Sequence, residues 1–488
     1  MNLRRHLRLI ALAGVALWTA GLPVSLHAQG ALAEAQVPAR YAEAVEFARI
    51  LMTAVMEESG TPGMSVAVGI DGRVVWSEGF GYADVEHRVP VWEETKFRIG
   101  SVSKPVTAAA LGLLLEQGKI DLDAPVQRYV PSFPEKRWPI TTRLIAGHLS
   151  GIRHYRGDEM RSSRRYATVL DGLEIFQDDT LLFEPGTRYS YSSYGWNLIS
   201  AVIEGASGQE FLPYMQKNVF DALGMVHTAP EHTDSIIPHR TRYYERTRDG
   251  HVLNAPFVDN SYKWAGGGFI STPEDLVRFG FAHLGSEFLK RETIEELWTP
   301  QATSNGRSTG YGIGWGAALE DGQFTRASHG GGSVGGTTSF ITYPQDNAVI
   351  AVVGNMSQAP TGGSLPILIV NAFLEPGTLS SAVGASGIDI AGDYDCVASA
   401  GGTDVSRGTL VLGGVPGDYW GRAEWTTIEN ESVSRSRIIA SYSYEDRTRI
   451  VTVSQNAGLT SIWLMGDGDE LSGTWVSGGS GELTCERQ

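Results

Sequence analysis

Apolar residues recur with a helical period from Tyr41 to Met56, and Thr61-Pro62-Gly63 closes that run. Two short apolar stretches follow, Met64 to Val68 and Arg73 to Trp76, joined by Asp71-Gly72. Asp-Gly suits the left-handed backbone of a type I′ turn, so the pair is predicted as a hairpin. The run from Val106 to Leu115 is apolar on every side, which predicts a helix buried all round and ending near Gly118. Between residues 120 and 260 strand signals are few. Helical spacing marks Tyr194 to Glu204 and Phe211 to Leu223, and Ser271 or Thr272 is placed to cap a helix from Pro273 to Leu284. Strand patterns return at Tyr311 to Trp315, Thr337 to Tyr343 and Ala348 to Gly354, before a helix from Leu365 to Leu374. The pattern predicts a sheet with flanking helices, interrupted by a mainly helical insertion.

After Glu375-Pro376-Gly377 the composition turns to Gly, Ser and Ala, and a linker is predicted over 379–386. From there on the chain reads as strand: Gly408 to Leu412, Arg437 to Tyr444, Thr448 to Ser454, Ser461 to Met465 and, after a turn at Gly466-Asp467-Gly468, Leu471 to Val476. Short, regularly spaced strands predict a small meander barrel over 387–488. At the other end, Arg4, Arg5 and Arg8 precede an apolar stretch from Leu9 to Leu22, with small residues around Ala28. That order predicts a signal peptide over 1–28 and an exported product, periplasmic or secreted. Gly14, Gly21 and Pro23 break the stretch and disfavour a membrane anchor. A linker over 29–44 then leads to a mixed domain over 45–378.

At 488 residues and a net charge of −16, the chain has material for a large core and no basic cluster for nucleic acid. Its only cysteines, Cys396 and Cys485, lie near the ends of the predicted barrel. In an exported protein a disulfide is the expectation, with two buried thiols as the alternative.

The chemistry centres on Ser101-Val102-Ser103-Lys104 at the start of the all-apolar helix. A three-residue spacing puts the serine and the lysine on one helix face. A serine hydroxyl needs a base, and a lysine becomes one when burial and cationic neighbours lower its pKa. Tyr191, leading into the Tyr194 helix, could pass protons to and from Ser101. Ser328-His329-Gly330-Gly331-Gly332-Ser333 is expected just before an inner strand, where glycine lets backbone N–H groups approach a substrate. Gly331-Gly332-Ser333-Val334-Gly335 fits a nucleophile elbow, but that motif needs a following helix and a later histidine, and His329 is the last. The 11 histidines form no zinc motif, and Gly266-Gly267-Gly268 lacks the lysine and helix of a phosphate loop, so neither metal nor nucleotide cofactor is expected.

In this order Ser101-Val102-Ser103-Lys104, Tyr191-Ser192-Ser193 and His329-Gly330-Gly331 resemble the three motifs of the serine β-lactamase and penicillin-binding-protein superfamily. The version is that of class C β-lactamases, D-aminopeptidases and β-lactamase-like esterases. His148 to Ile152, Gly267 to Thr272 and Tyr311 to Gly316 resemble the same family. Ser150 to Tyr155 and Val258 to Gly268 resemble its mitochondrial serine β-lactamase-like branch, whose members are filament-forming peptidases.

The resemblance spans roughly 45–375 and implies an α/β (α+β) fold: an antiparallel sheet with flanking helices and a helical subdomain, followed here by the all-β domain. It implies Ser101 as nucleophile, Lys104 as its base, Tyr191 as proton shuttle, and the backbone N–H groups of Ser101 and Gly332 as oxyanion hole. Ser193, His329, Gly330 and Gly331 would contact substrate. His329 stands where class C enzymes carry lysine, which would replace a fixed cation by a group titrating near pH 6.5. Ser193 stands where asparagine is usual. The expected activity is a serine hydrolase acting on a peptide or a small amide or ester. A carboxylesterase, a weak β-lactamase or D,D-peptidase, and a non-turnover penicillin sensor or filament former are the rivals. Oligomerisation is left open.

Overall fold

A computed structural model describes residues 37–376, 389–443, 447–466, 468–477 and 479–488. The predicted signal peptide, the first part of the linker over 29–44, the linker over 379–386 and Asp467 lie outside the described residues.

The predicted hairpin forms from Gly63–Ile70 and Arg73–Asp84, with Asp71 at φ 53° and Gly72 at φ 77°, as a type I′ turn requires. Its first strand is the third of seven in an antiparallel sheet, beside the central strand Ala348–Gly354. From one edge the order is Val89–Pro90, Arg73–Asp84, Gly63–Ile70, Ala348–Gly354, Gly336–Tyr343, Gln323–Ser333 and Gly316–Glu320. The two halves of the domain therefore meet where Val66 pairs with Val352.

Helices cover both faces. Ala42–Ser59 and Ser364–Leu374 lie on one, where Trp76 stacks on Phe373 with ring centroids 5.6 Å apart. On the other, Pro273–Leu284 lies against the sheet so closely that Gly69 and Gly280 leave no room for a β-carbon. Thr272 caps that helix, its Oγ1 accepting the Asp275 N–H at 3.3 Å. The insertion from 120 to 260 is helical and loop-rich, built around Ser193–Ser207.

Two elements depart from the sequence reading. Tyr311 to Trp315 is not a strand: Gly312 N–H donates to the Trp315 carbonyl at 2.8 Å and Gly314 sits at φ 80°, so the segment turns back on itself. The helix from Phe211 stops at Met215 and continues as a wider turn over Gln216–Phe220, where Asn218 Nδ2–H donates to the Tyr214 carbonyl at 2.9 Å. The glycine-rich motif does precede the inner strand Gly336–Tyr343, as expected, and is itself the last part of the strand Gln323–Ser333.

The C-terminal part is a closed antiparallel barrel of eight strands, each paired with its sequence neighbour, from Gly392–Ala400 to Ser480–Arg487. The first and last strands close it, with Cys396 directly opposite Cys485 and joined to it by a disulfide. Tyr394, Leu410, Ile450, Ile462 and Leu483 are among the residues that fill its interior. The barrel docks on the outer helix layer through Phe47, whose ring meets Tyr442 at 5.7 Å and lies under Arg449. Arg437 adds ion pairs to Glu57 at 3.2 Å and Glu58 at 2.8 Å. Among the described residues no helix is long and apolar enough to cross a membrane.

Candidate active site

Gly100, at φ 50°, turns the chain into a short 3₁₀ segment, Gly100–Val102, which runs on into the helix Ser103–Glu116. Ser101 thus sits one turn ahead of the helix, and Lys104 lies in its first turn. The helix is apolar throughout its middle because it is surrounded by protein, and Lys104 is buried with it at 0% exposure. Lys104 Nζ lies 2.9 Å from Ser101 Oγ, 3.1 Å from Ser193 Oγ and 2.7 Å from the Gly266 carbonyl. Burial, and then the charge of Lys263, hold this amine well below the ordinary lysine range.

Three contacts match the three N–H groups of an ammonium, and equally the two N–H groups and lone pair of the neutral amine that burial favours. The carbonyl can only accept, so it takes one N–H, and the Ser193 hydroxyl takes the other. The lone pair is then left for the proton of Ser101. Ser193, expected to contact substrate, is 2% exposed, and its hydroxyl lies within hydrogen-bond distance of Lys104.

Ser192 caps the helix Ser193–Ser207 by accepting the Gly195 N–H at 3.0 Å, and this fixes Tyr191 just outside the helix. The Tyr191 hydroxyl faces those of Ser101 and Ser193, and Lys104 Nζ lies 4.9 Å from the centre of its ring. Burial raises the phenol above its usual range, so it stays protonated at neutral pH.

The strand Gln323–Ser333 passes close beside the nucleophile. A β-carbon on Gly100 would lie 2.7 Å from the Gly332 carbonyl oxygen, and one on Gly331 would lie 2.0 Å from that of Ile99. Gly330 and Gly332 are exposed while Gly331 is buried, the alternation of a strand with one open face. A β-carbon on Gly332 would meet nothing within 4 Å, so the backbone there opens onto free space.

His329 is not the titrating group expected. Its Nδ1–H donates to the Gly330 carbonyl at 2.6 Å, so Nε2 is the acceptor for the Tyr311 hydroxyl at 2.7 Å. Burial and the neighbouring Lys104 push the imidazole down to about 3, and it is neutral at physiological pH.

Several residues of the site were not singled out from the sequence. His148 Nδ1 accepts the Ser192 N–H and His154 Nδ1 accepts the Ser193 N–H, both at 3.1 Å, so the turn bearing Tyr191 is held by two imidazoles. The His148 ring lies 4.1 Å from that of Tyr191. Arg153 bonds Glu159 at 2.7 Å and also pairs with Asp179, which ties down the loop that carries both histidines. Tyr155 faces Ser193, and Lys263 sits beneath Tyr155 and Tyr262. The sequence marked most of them only as members of the family-resembling segments His148 to Ile152, Ser150 to Tyr155 and Val258 to Gly268, without a role for each. Next to this wall, Tyr189 also lines a cavity of about 480 Å³ with Arg188, Thr303, Asn305 and Arg307. A possible metal-ligand group among the described residues, Asp84, Glu86 and His87, is partly exposed and belongs to a different part of the sheet.

A buried Ser-x-x-Lys pair at a helix start, beside an antiparallel sheet whose inner strand ends in glycines, defines a serine hydrolase of the β-lactamase and penicillin-binding-protein kind. The chain matches the beta-lactamase family over residues 48–372 and belongs to it. It is 34% identical over 400 residues to the human mitochondrial serine beta-lactamase-like protein LACTB, covering 63% of this chain and 73% of that protein. It is 28% identical over 320 residues to a D-aminopeptidase of Gluconobacter oxydans, covering 63% of this chain and 58% of that one. The octameric penicillin-binding protein homologue from Pyrococcus abyssi shares the fold, with a TM-score of 0.58 at 23% identity, over 90% of this chain and 99% of its own.

Proposed function

We propose that this protein is an exported serine peptidase that cleaves peptide amides through an acyl-enzyme on Ser101. The observation that carries the reading is the fully buried Lys104 within hydrogen-bond distance of Ser101, Ser193 and the Gly266 carbonyl: burial favours the neutral amine, which in this setting spends its two hydrogens on Ser193 and Gly266 and keeps its lone pair for Ser101. As Ser101 Oγ bonds to the substrate carbonyl carbon, its proton passes to Lys104. The carbonyl oxygen gains the electron pair and is met by the backbone N–H groups of Ser101 and Gly332. Tyr191, a phenol at rest, gives its proton to the leaving nitrogen as the C–N bond breaks, and is reprotonated from Lys104. Water then attacks the ester carbonyl by the reverse transfers and releases Ser101.

Peptides are favoured over β-lactams because the third motif presents a neutral His329, already engaged by Tyr311, where a cation would meet a β-lactam carboxylate. The similarity to a D-aminopeptidase points the same way. The cavity beside Tyr189 offers room for residues beyond the scissile bond. Export rests on Arg4, Arg5, Arg8 and the apolar stretch after them, and the Cys396–Cys485 disulfide suits an oxidising compartment.

The test is digestion of a diverse synthetic peptide library, read by mass spectrometry, with Ser101→Ala alongside. Defined cuts that disappear in the variant are expected. Intact peptides in the presence of folded protein would overturn the peptidase reading and turn attention to short-chain esters and β-lactams. N-terminal sequencing of the exported fraction should find a chain beginning near residue 29; an intact Met1 in the cytoplasm would overturn export.

A further inference from the structure

Lys263 neither gives nor takes a proton in the chemistry above, yet it is buried at 3% exposure in the wall of the site. Among the described residues its Nζ makes no ion pair or hydrogen bond. Glu231, the carboxylate it feels most, is already bonded to Arg98 Nε and Asn260 Nδ2, each at 2.6 Å. The ammonium lies instead against aromatic faces, 5.3 Å from the centre of Tyr262 and 5.7 Å from that of Tyr155. A buried cation without a counter-ion is costly, and an apolar residue of similar size would be the more stable choice. Its presence calls for a task.

The geometry ties it to Lys104. Tyr155, under which Lys263 sits, faces Ser193, and Ser193 Oγ receives Lys104 Nζ at 3.1 Å. Three residues beyond Lys263, the Gly266 carbonyl receives Lys104 again at 2.7 Å. One short turn, Ser261 to Gly267, therefore both grips Lys104 and sets a second lysine in the same enclosed space. The site has no other fixed cation at the third motif, since His329 is neutral there. The groups facing Lys263 are Lys104, His154 and Tyr155 across the site, Arg98 with Glu231 behind it, and Tyr262 on its own turn.

We propose that Lys263 is a positioning residue for proton transfer: its charge, buried beside Lys104, keeps Lys104 in the free-amine form whose lone pair faces Ser101. The proposal rests on Ser101 as nucleophile and Lys104 as its base. It gives the site two lysines that share roughly one charge. Below about pH 7 Lys263 carries it at rest. When Lys104 accepts the Ser101 proton, the site holds two cations, and their repulsion drives the proton onward through Tyr191 to the leaving group.

The sign follows from the charges. Burial and Arg98 push Lys263 down to about 7, against the pull of Glu231. Below that pH it is positive, and it holds Lys104 unprotonated into more acidic solution than burial alone would. Removing the charge lets Lys104 gain a proton earlier, so the acid limb of Ser101 reactivity should move to higher pH.

The experiment measures the second-order rate of Ser101 labelling by a fluorophosphonate against pH, using intact mass as the readout. This reagent needs an activated serine and no knowledge of the substrate. Lys263→Met and Lys263→Gln should shift the acid limb upward by about one pH unit, roughly a tenfold loss on that limb. Lys263→Arg keeps the charge and should leave the limb in place. Both neutral variants should fold with an unchanged or higher Tm. An unmoved acid limb in the neutral variants, an Arg variant shifted like them, or neutral variants that fail to fold would each overturn the proposal. A wild-type protein that is not labelled at Ser101 would instead overturn the nucleophile reading on which the proposal rests.

Discussion

Gly331→Ala tests whether the close approach of strand and nucleophile builds the oxyanion site. The added β-carbon would lie 2.0 Å from the Ile99 carbonyl oxygen and 3.3 Å from Ser101 N, and both are backbone atoms that no rotamer change can move. Restoring contact distance takes a displacement of about 1 Å or more. The strand cannot yield freely, because Gly330, Gly331 and Gly332 pair with Ser339, Thr338 and Thr337 on the next strand. The displacement must therefore open the gap between the N–H groups of Ser101 and Gly332. Misplacing one oxyanion donor costs roughly 10²–10³ in rate, and overpacking of this kind costs about 1–3 kcal/mol in stability. Fluorophosphonate labelling of Ser101 should fall at least about a hundredfold, and Tm should fall with it. Gly330→Ala and Gly332→Ala, whose β-carbons meet nothing closer than 4.0 Å, serve as stability controls and should keep the wild-type Tm. A Gly331→Ala protein with wild-type rate and wild-type Tm would refute the argument.

Four further outcomes follow. His329→Gln should slow labelling without changing the shape of its pH profile, because the imidazole is pushed down to about 3; loss of an inflection near 6.5 in the variant would show that His329 titrates. His283, fully buried with its Nδ1–H on the Phe279 carbonyl, is pushed down to about 4, so the unfolded chain binds its proton first on acidification. Stability should drop as pH falls from about 6.5 to 4, by roughly 2–3 kcal/mol, and urea titrations at the two pH values should show His283→Leu losing that part of the slope. Reduction of Cys396–Cys485, which spans 89 residues across the barrel seam, should lower the barrel Tm with a loss of at most about 4–5 kcal/mol; an unchanged melt would show that strand pairing alone closes it. At the barrel dock, Phe47→Ala should cost about 3–5 kcal/mol and Arg437→Ala, half-exposed, less than about 1 kcal/mol; the opposite order in thermal melts would mean that charge, not packing, holds the barrel.

What could be read from the chain was whatever depends on local chemistry. Asp71-Gly72, the Thr272 cap and the all-apolar helix after Ser101 carry their geometry within a few residues, and each is found where expected. Gln323–Ser333 carries little: Phe324 and Ala327 are its only apolar side chains among Gln, Thr, Arg, Ser, His and Gly, and it is a strand because neighbours pair with it on both sides. The first strand of the barrel and the Asp418–Thr427 strand escaped for the same reason, since barrel closure supplies the order that composition lacks. At the site, Ser101, Lys104 and Tyr191 stood out because a helix start fixes their spacing. His148, His154, Tyr311 and Lys263 come from loops and turns brought in by tertiary packing, and a buried lysine looks like a surface one until its surroundings are known.

The central claim is that a neutral Lys104 activates Ser101 for acyl transfer. The most direct measurement is intact-protein mass spectrometry of the wild type quenched in acid during turnover of a reactive amide or p-nitrophenyl ester, with fragmentation to locate the adduct. One acyl group on Ser101, formed at pH values well below the ordinary lysine range and absent from Lys104→Met, is the predicted result. An adduct on another residue, or Ser101 acylation that persists unchanged without Lys104, would contradict the account.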